Sequence, residues 1–249
     1  MGGCSSLSHC ESAVIPVQLP NTHHSQVYSP VVIKGSTKIQ ITVAAIDDFL
    51  HKLMNRGDRC SVVAFNNNYK ILSLLGNKSN AINGLVSCLQ RCNGGTQLWT
   101  ATIMSVAQFI ATADRSRPWI LIVLTDGDDS GGGAGVSDVA TALTGFNTPT
   151  DNFTFFIGLG HDAGEKSLRS LCESSNSLYF GAKDEDELKL TFAIMAIKIA
   201  QGIQMELEQV RAQGIEATYA RIEEMSSVSR QPIDMFILVD ISGSMNEAA

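Results

Sequence analysis

Four nearly continuous runs of apolar residues constrain the fold of this chain more than any other feature of its sequence. They are CSVVAF from Cys60, PWILIVLT from Pro118, NFTFFIGLG from Asn152 and DMFILV from Asp234. A strand that is apolar along nearly its whole length is buried on both faces, which is typical of parallel sheets covered by helices. Segments with helical spacing of apolar residues, such as KIQITVAAIDDFLHKLM from Lys38, separate the runs. The alternation predicts an α/β fold: a doubly wound, mostly parallel sheet with helices on both faces.

The length and composition predict a single domain with a flexible arm in front of it. The chain has 249 residues, of which 44% are apolar, enough to bury one substantial core. We expect the arm over residues 1–35 and the domain over residues 36–249. Within the domain we expect a body over 36–200, a helical bridge over 201–231 and the last strand with its loop over 232–249. A net charge of −7 without a Lys- or Arg-rich stretch excludes nucleic acid as a partner.

Polar side chains follow the predicted strands at the points where they end. Asp240, Ser242 and Ser244 follow the last strand, Asp126 follows WILIVLT, and Thr96 opens a helix after a Gly-Gly turn. In doubly wound sheets, ligands bind outside the carboxyl ends of the strands. The sequence therefore predicts two carboxylates and three hydroxyls at one edge of the sheet. That set suits a hard divalent cation such as Mg²⁺ or Mn²⁺, and we interpret these five residues as its ligands.

These residues also carry a resemblance to a known family. DISGSM at Asp240–Met245, the Thr in GGTQLWTA and the Asp in LTDG resemble the three parts of the metal-ion-dependent adhesion site (MIDAS) of von Willebrand factor A domains. The resemblance covers residues 36–200 and 232–249. It implies a Rossmann-like fold and a non-catalytic module that binds Mg²⁺ or Mn²⁺ and captures a carboxylate of a protein partner.

The order of the motifs departs from that family. A domain of this kind runs from the Asp-x-Ser-x-Ser strand into the helix that begins here at Thr37, but in this chain the strand comes last. The sequence therefore resembles a circularly permuted domain. Two alternatives stay open: the last strand inserts into a second copy of the chain as a swapped dimer, or it is the start of a truncated second domain.

Two other functions also stay open. One is a Mg²⁺-dependent phosphoryl-transfer or hydrolytic enzyme with Asp240 as nucleophile. The sequence contains no Walker-type lysine loop and no general base in a recognisable motif, so we expect the protein not to be an enzyme. The other is a membrane-anchored scaffold whose metal site is vestigial.

The first residues carry a modification signal. MGGCSS matches the pattern for N-myristoylation at Gly2, and Cys4 stands where a palmitoyl group could be added. Two acyl chains together would anchor a protein durably. No apolar stretch resembles a signal peptide or a membrane span. We therefore expect an intracellular, cytoplasmic protein that associates with a membrane if these residues are acylated.

Overall fold

The computed structural model describes most of the chain, with several gaps. It covers residues 37–90, 92–147, 152–160, 164–201, 212, 214, 215, 217, 218, 220 and 231–249. These residues belong to one compact unit, Lys34–Ala249. The predicted arm and most of the predicted bridge lie outside the described residues. The division into arm, body and bridge therefore stays a prediction, as does acylation at Gly2 and Cys4.

Six helices and six strands are described with both of their ends, and they alternate along most of the chain. The helices are α1 (Lys38–Leu53), α2 (Lys78–Val86), α3 (Leu98–Thr112), α4 (Val136–Phe146), α5 (Glu165–Ser175) and α6 (Glu185–Gln201). The strands are β1 (Arg59–Phe65), β2 (Tyr69–Gly76), β3 (Trp119–Thr125), β4 (Asn152–Leu159), β5 (Leu178–Ala182) and β6 (Asp234–Asp240). Short 3₁₀ helices cover Ser87–Gln90 and Gly243–Asn246.

All six strands join one sheet in the order β2-β1-β6-β3-β4-β5. Strand β6, the last in sequence, lies at the centre and pairs in parallel with β1 and β3. Only β2 is antiparallel, because a tight turn through Asn66–Asn68 returns the chain beside β1. The predicted α/β fold with a mostly parallel sheet is confirmed.

Both faces of β6 are buried, as its uninterrupted apolar sequence predicts. Successive side chains of a strand point to opposite faces. Met235, Ile237 and Val239 pack with α1, α2 and α6, and Phe236 and Leu238 pack with α3, α4 and α5. The Phe236 ring stacks on Phe109 of α3, with 4.3 Å between ring centroids. These contacts fix β6 in a two-sided core, so the loop that follows it has a defined position.

An ion-pair network holds the amino end of β6. The buried Asp234 carboxylate accepts hydrogen bonds from Nε of Arg59, at 2.9 Å, and from the backbone N–H of Asp114, at 2.8 Å. Arg117 Nη1 lies 3.5 Å from the same carboxylate. Because Arg59 and Asp114 belong to parts of the chain distant in sequence, this network ties β6 into the body of the domain.

Two segments with helical spacing in the sequence are longer than the helices that the structure describes there. The spacing of NAINGLVSCLQRC favours one helix, but α2 ends at Val86 and continues only as a 3₁₀ turn to Gln90. The spacing from Asp184 to Met225 favours a long helix with a possible break at Gly214; α6 is described as far as Gln201, and Gly214 has a left-handed φ of 84°. In the described part of the chain, no helix is both long and apolar enough to cross a membrane.

Candidate metal centre

Asp240 ends β6 with a fully buried carboxylate. Its Oδ1 accepts a hydrogen bond from the backbone N–H of Ser242 at 2.8 Å, and its Oδ2 accepts one from the Thr125 hydroxyl at 2.7 Å. Burial raises the pKa of Asp240 to about 6; the Thr125 and Ser242 hydrogen bonds oppose this shift, and the charge of Asp126 adds to it. The carboxylate is thus positioned by the chain but costly to ionise.

A chain of hydrogen bonds links the other residues of the motif loop to β3. The hydroxyl oxygens of Ser242 and Ser244 lie 2.9 Å apart. The Ser244 hydroxyl donates to Oδ1 of Asp126 at 2.8 Å, although 118 residues separate the two in sequence. They meet because β6 lies beside β3, so the loops after both strands leave the same edge of the sheet.

Thr96 lies beside this cluster in the loop before α3. Its backbone N–H donates to the Ser130 hydroxyl at 2.9 Å, and the Ser130 N–H donates to the Thr96 carbonyl at 2.7 Å. A Cβ atom on Gly127, the neighbour of Asp126, would lie 4.0 Å from the Thr96 hydroxyl oxygen. The same loop is tied to the motif by a 2.9 Å hydrogen bond from Gly243 N–H to the Gly94 carbonyl. Thr96 therefore faces the loop of Asp126.

Lys38, the first residue of α1, also reaches the cluster. Its Nζ lies 2.9 Å from Oδ2 of Asp126 and 3.5 Å from Oε2 of Glu247. Partial burial alone would lower the pKa of Lys38, but the hydrogen bonds and charges of Asp126 and Glu247 outweigh it and raise the pKa. Asp126 therefore already has a cationic partner within the chain.

The structure brings four of the predicted ligands into one cluster and places the fifth next to it. Asp240, Ser242, Ser244 and Asp126 are linked through the bonds above, and Thr96 adjoins them. Two contributors were missed by sequence reasoning. Thr125 directly precedes Asp126, and the LTDG motif could have pointed to it. Lys38 gave no signal, because it meets Asp126 only through the packing of α1 at this edge.

The chemistry of these side chains fits a divalent cation. Mg²⁺ and Mn²⁺ prefer oxygen ligands, and the cluster offers only carboxylate and hydroxyl oxygens. A buried carboxylate with a raised pKa is one that a nearby positive charge would stabilise. In the described ranges, no group of three or more His, Cys, Asp or Glu side chains is placed to hold a metal. A cation here would therefore depend on the hydroxyls of Ser242, Ser244 and Thr96 as well as on the two aspartates.

Solved structures with a similar fold support the topology. One is the von Willebrand factor type A protein from Catenulispora acidiphila, with a TM-score of 0.53 and 20% identity over 65% of this chain and 38% of that one. A second is proximal thread matrix protein 1 from the mussel byssus, with a TM-score of 0.53 and 18% identity over 66% of this chain and 42% of that one. A third is an aerotolerance-related membrane protein from Bacteroides fragilis, with a TM-score of 0.51 and 14% identity over 64% of this chain and 88% of that one. At these identities the likeness is one of fold, and the chain spans less than half the length of the first two.

The family is defined by a sequence match. Curated protein sequences gave no significant match to the chain. The family model of the von Willebrand factor type A domain matches residues 31–194. This match covers most of the chain, and the fold agrees with it. The chain therefore belongs to the von Willebrand factor type A domain family.

Proposed function

We propose that this protein is a non-catalytic module that binds a divalent cation through Asp240, Ser242, Ser244, Thr96 and Asp126 and uses it to capture an acidic group of a protein partner. The observation that carries the proposal is the hydrogen-bonded chain from Ser242 through Ser244 to Asp126, which joins the ends of β6 and β3. Domains of this family commonly act as protein-interaction modules.

The balance of charge supports an acidic ligand. If the hydroxyls bind the dication directly and the carboxylates stand behind them holding waters, the direct ligands are neutral and the ion attracts a further anion. A carboxylate of a partner supplies that charge through an oxygen ligand of the kind that Mg²⁺ prefers. A shallow pocket of about 500 Å³ at the same edge of the sheet, lined by Asp128, Gly164, Lys166 and Arg169 among others, offers further polar contacts to a partner.

The contacts of Asp240 favour binding over catalysis. A nucleophilic aspartate needs an oxygen free to attack the substrate. Both oxygens of Asp240 accept hydrogen bonds from within the chain, and the side chain is buried. In the proposed module, Asp240 instead positions the Ser242 backbone and supplies negative charge from behind the hydroxyl ligands.

We also propose that the chain is a circularly permuted member of its family and folds as a monomer. The central place of β6 between β1 and β3 supports this order. So do the contacts of the tail with α1: Ala248 pairs with Thr37, and the Lys38 N–H donates to the Glu247 carbonyl at 3.0 Å. The family match ends at residue 194, before β6 begins.

The proposals also include acylation of Gly2 and Cys4, which would hold the domain at an intracellular membrane through its N-terminal arm. The intact mass of the protein isolated from eukaryotic cells tests this, with Gly2→Ala as the unmodified control.

The metal site is tested by calorimetric titration of Mg²⁺ and Mn²⁺ into the purified monomer. We expect one site per chain, and we expect Ser242→Ala and Asp126→Ala to abolish binding without unfolding the protein. Ser170→Ala, which removes the same hydroxyl from an exposed position on α5, should bind metal as the wild type does. Wild-type affinity in both site variants would contradict the proposal.

The capture of an acidic group is tested with acetate as the probe. When Mn²⁺ is bound, its water ligands enhance the relaxation of solvent protons. We expect acetate, but not chloride at the same ionic strength, to reduce this enhancement by replacing water on the metal. An unchanged enhancement with acetate would contradict the capture of carboxylates.

A further inference from the structure

The ammonium group of Lys38 would compete with a divalent cation for the carboxylate of Asp126. Its ammonium group lies 2.9 Å from Oδ2 of Asp126, whose side chain is fully buried, while Oδ1 of the same carboxylate accepts the Ser244 hydroxyl. Both oxygens of Asp126 are therefore engaged from within the chain. The Lys38 side chain itself is only 18% exposed, so its charge is directed into the cluster.

The backbone around Lys38 is fixed against the motif loop. The Lys38 N–H donates to the Glu247 carbonyl at 3.0 Å, and Thr37 pairs with Ala248. The flexible part is the side chain, a long stem that carries a compact point charge. Lys38 can therefore change partners without any movement of α1.

A second carboxylate stands within reach on the solvent side. Oε2 of Glu247 lies 3.5 Å from Lys38 Nζ, and the Glu247 side chain is 70% exposed. This contact is longer and better solvated than the one with Asp126. Lys38 can therefore keep its ion pair with Glu247 when a metal ion displaces it from Asp126.

We propose that Lys38 is an internal counter-cation, which holds Asp126 and the two serines in place without metal and must withdraw toward Glu247 for a metal to bind. This inference rests on the proposed metal site. Like charges repel strongly at ion-pair distance in a partly buried site. Lys38 therefore raises the metal concentration at which the site is half filled, because the free energy of moving its ammonium away from Asp126 is subtracted from that of metal binding.

The variant Lys38→Gln tests the inference, because it keeps most of the stem and removes the charge. We expect it to bind Mg²⁺ at least about tenfold more tightly than the wild type in calorimetric titration. We also expect its melting temperature to fall in EDTA and to rise more than that of the wild type when Mg²⁺ is added. Lys52→Gln, which removes a charge from the same helix where the lysine pairs with Asp48, is the matched control and should leave metal affinity unchanged.

The outcomes separate this inference from the proposed function. Unchanged or weaker binding in Lys38→Gln, while the wild type binds Mg²⁺, overturns the inference alone. Binding only in Lys38→Gln supports the inference and overturns metal dependence of the natural protein. Binding in neither overturns both.

If Lys38→Gln does not fold, the inference can be tested on the wild-type protein. The Nζ resonance of Lys38 in ¹⁵N NMR, assigned with Lys38→Arg, should shift when Mg²⁺ is added, while that of Lys52 should not. A Lys38 resonance unmoved at saturating Mg²⁺ overturns the inference.

Discussion

Asp240 carries a negative charge where the surrounding structure penalises it. Burial raises its pKa to about 6 from an ordinary value of 3.8. The folded state therefore favours the protonated form more than the unfolded state does. The contribution of Asp240 to the free energy of unfolding is greatest below pH 4, declines as the pH rises from about 4 to 6, and stays low at neutral pH. By this linkage the ionised carboxylate costs the metal-free protein about 3 kcal/mol at pH 7.

Asp240→Asn should remove this penalty. The amide can still accept from the Ser242 N–H, and the Thr125 hydroxyl can turn to donate to the Gly127 carbonyl, 3.2 Å away. In EDTA, the free energy of unfolding of the variant relative to the wild type should therefore rise between pH 4 and pH 7, by up to about 3 kcal/mol. Urea denaturation at both pH values measures this difference.

The exposed Asp186→Asn is the control, and its stability relative to the wild type should not follow the same pH dependence. A constant difference between Asp240→Asn and the wild type across this range would show that burial of Asp240 does not raise its pKa. If the difference is seen, the same carboxylate explains why a cation would stabilise the folded protein at neutral pH.

Strand β6 is held at both ends by polar contacts and along its length by apolar ones. At its amino end, Asp234 pairs with Arg59, and the Asp58 carboxylate accepts the Ile233 N–H at 3.0 Å. Asp234→Asn keeps the shape but removes the charge that Arg59 faces. Because Arg59 remains partly solvated, we expect a loss of about 2 kcal/mol in the free energy of unfolding, measured by urea denaturation.

The matched control for this loss is Glu165→Gln. It breaks the exposed pair with Arg169 on α5 and should change stability by well under about 1 kcal/mol. Equal effects of the two variants would mean that the amino end of β6 is not anchored by its ion pairs.

The elements that the sequence predicts well are those whose signals are local. In DMFILV the five residues after Asp234 are apolar and face one or the other layer of helices, so a buried β6 follows from its own residues. The Asp-x-Ser-x-Ser turn and LTDG are also short, local motifs, so they can be recognised from the sequence alone. By contrast, Asp234–Arg59 and Lys38–Asp126 join residues 175 and 88 positions apart, and their pairing depends on the strand order. The end of α2 at Val86 was also missed, because the 3₁₀ turn that follows preserves the spacing of Cys88.

At the scale of the whole molecule, the candidate metal centre combines side chains from the body of the domain with side chains from its last strand and loop. Asp126 belongs to the body, whereas Ser242 and Ser244 belong to the last strand and its loop. If β6 inserts into its own chain, every ligand of a site comes from one molecule. If it inserts into a second copy, each site combines the body of one chain with β6 of the other.

Complementation between two inactive variants distinguishes these arrangements. In a swapped dimer, the body of Ser242→Ala and β6 of Asp126→Ala would together rebuild an intact site. We expect insertion within one chain, so equal amounts of the two variants, unfolded in urea and refolded together, should bind no Mg²⁺ in calorimetry. Wild-type protein refolded in the same way should recover its binding and sediment as a monomer. Recovery of Mg²⁺ binding in the mixture would instead require that β6 be exchanged between chains.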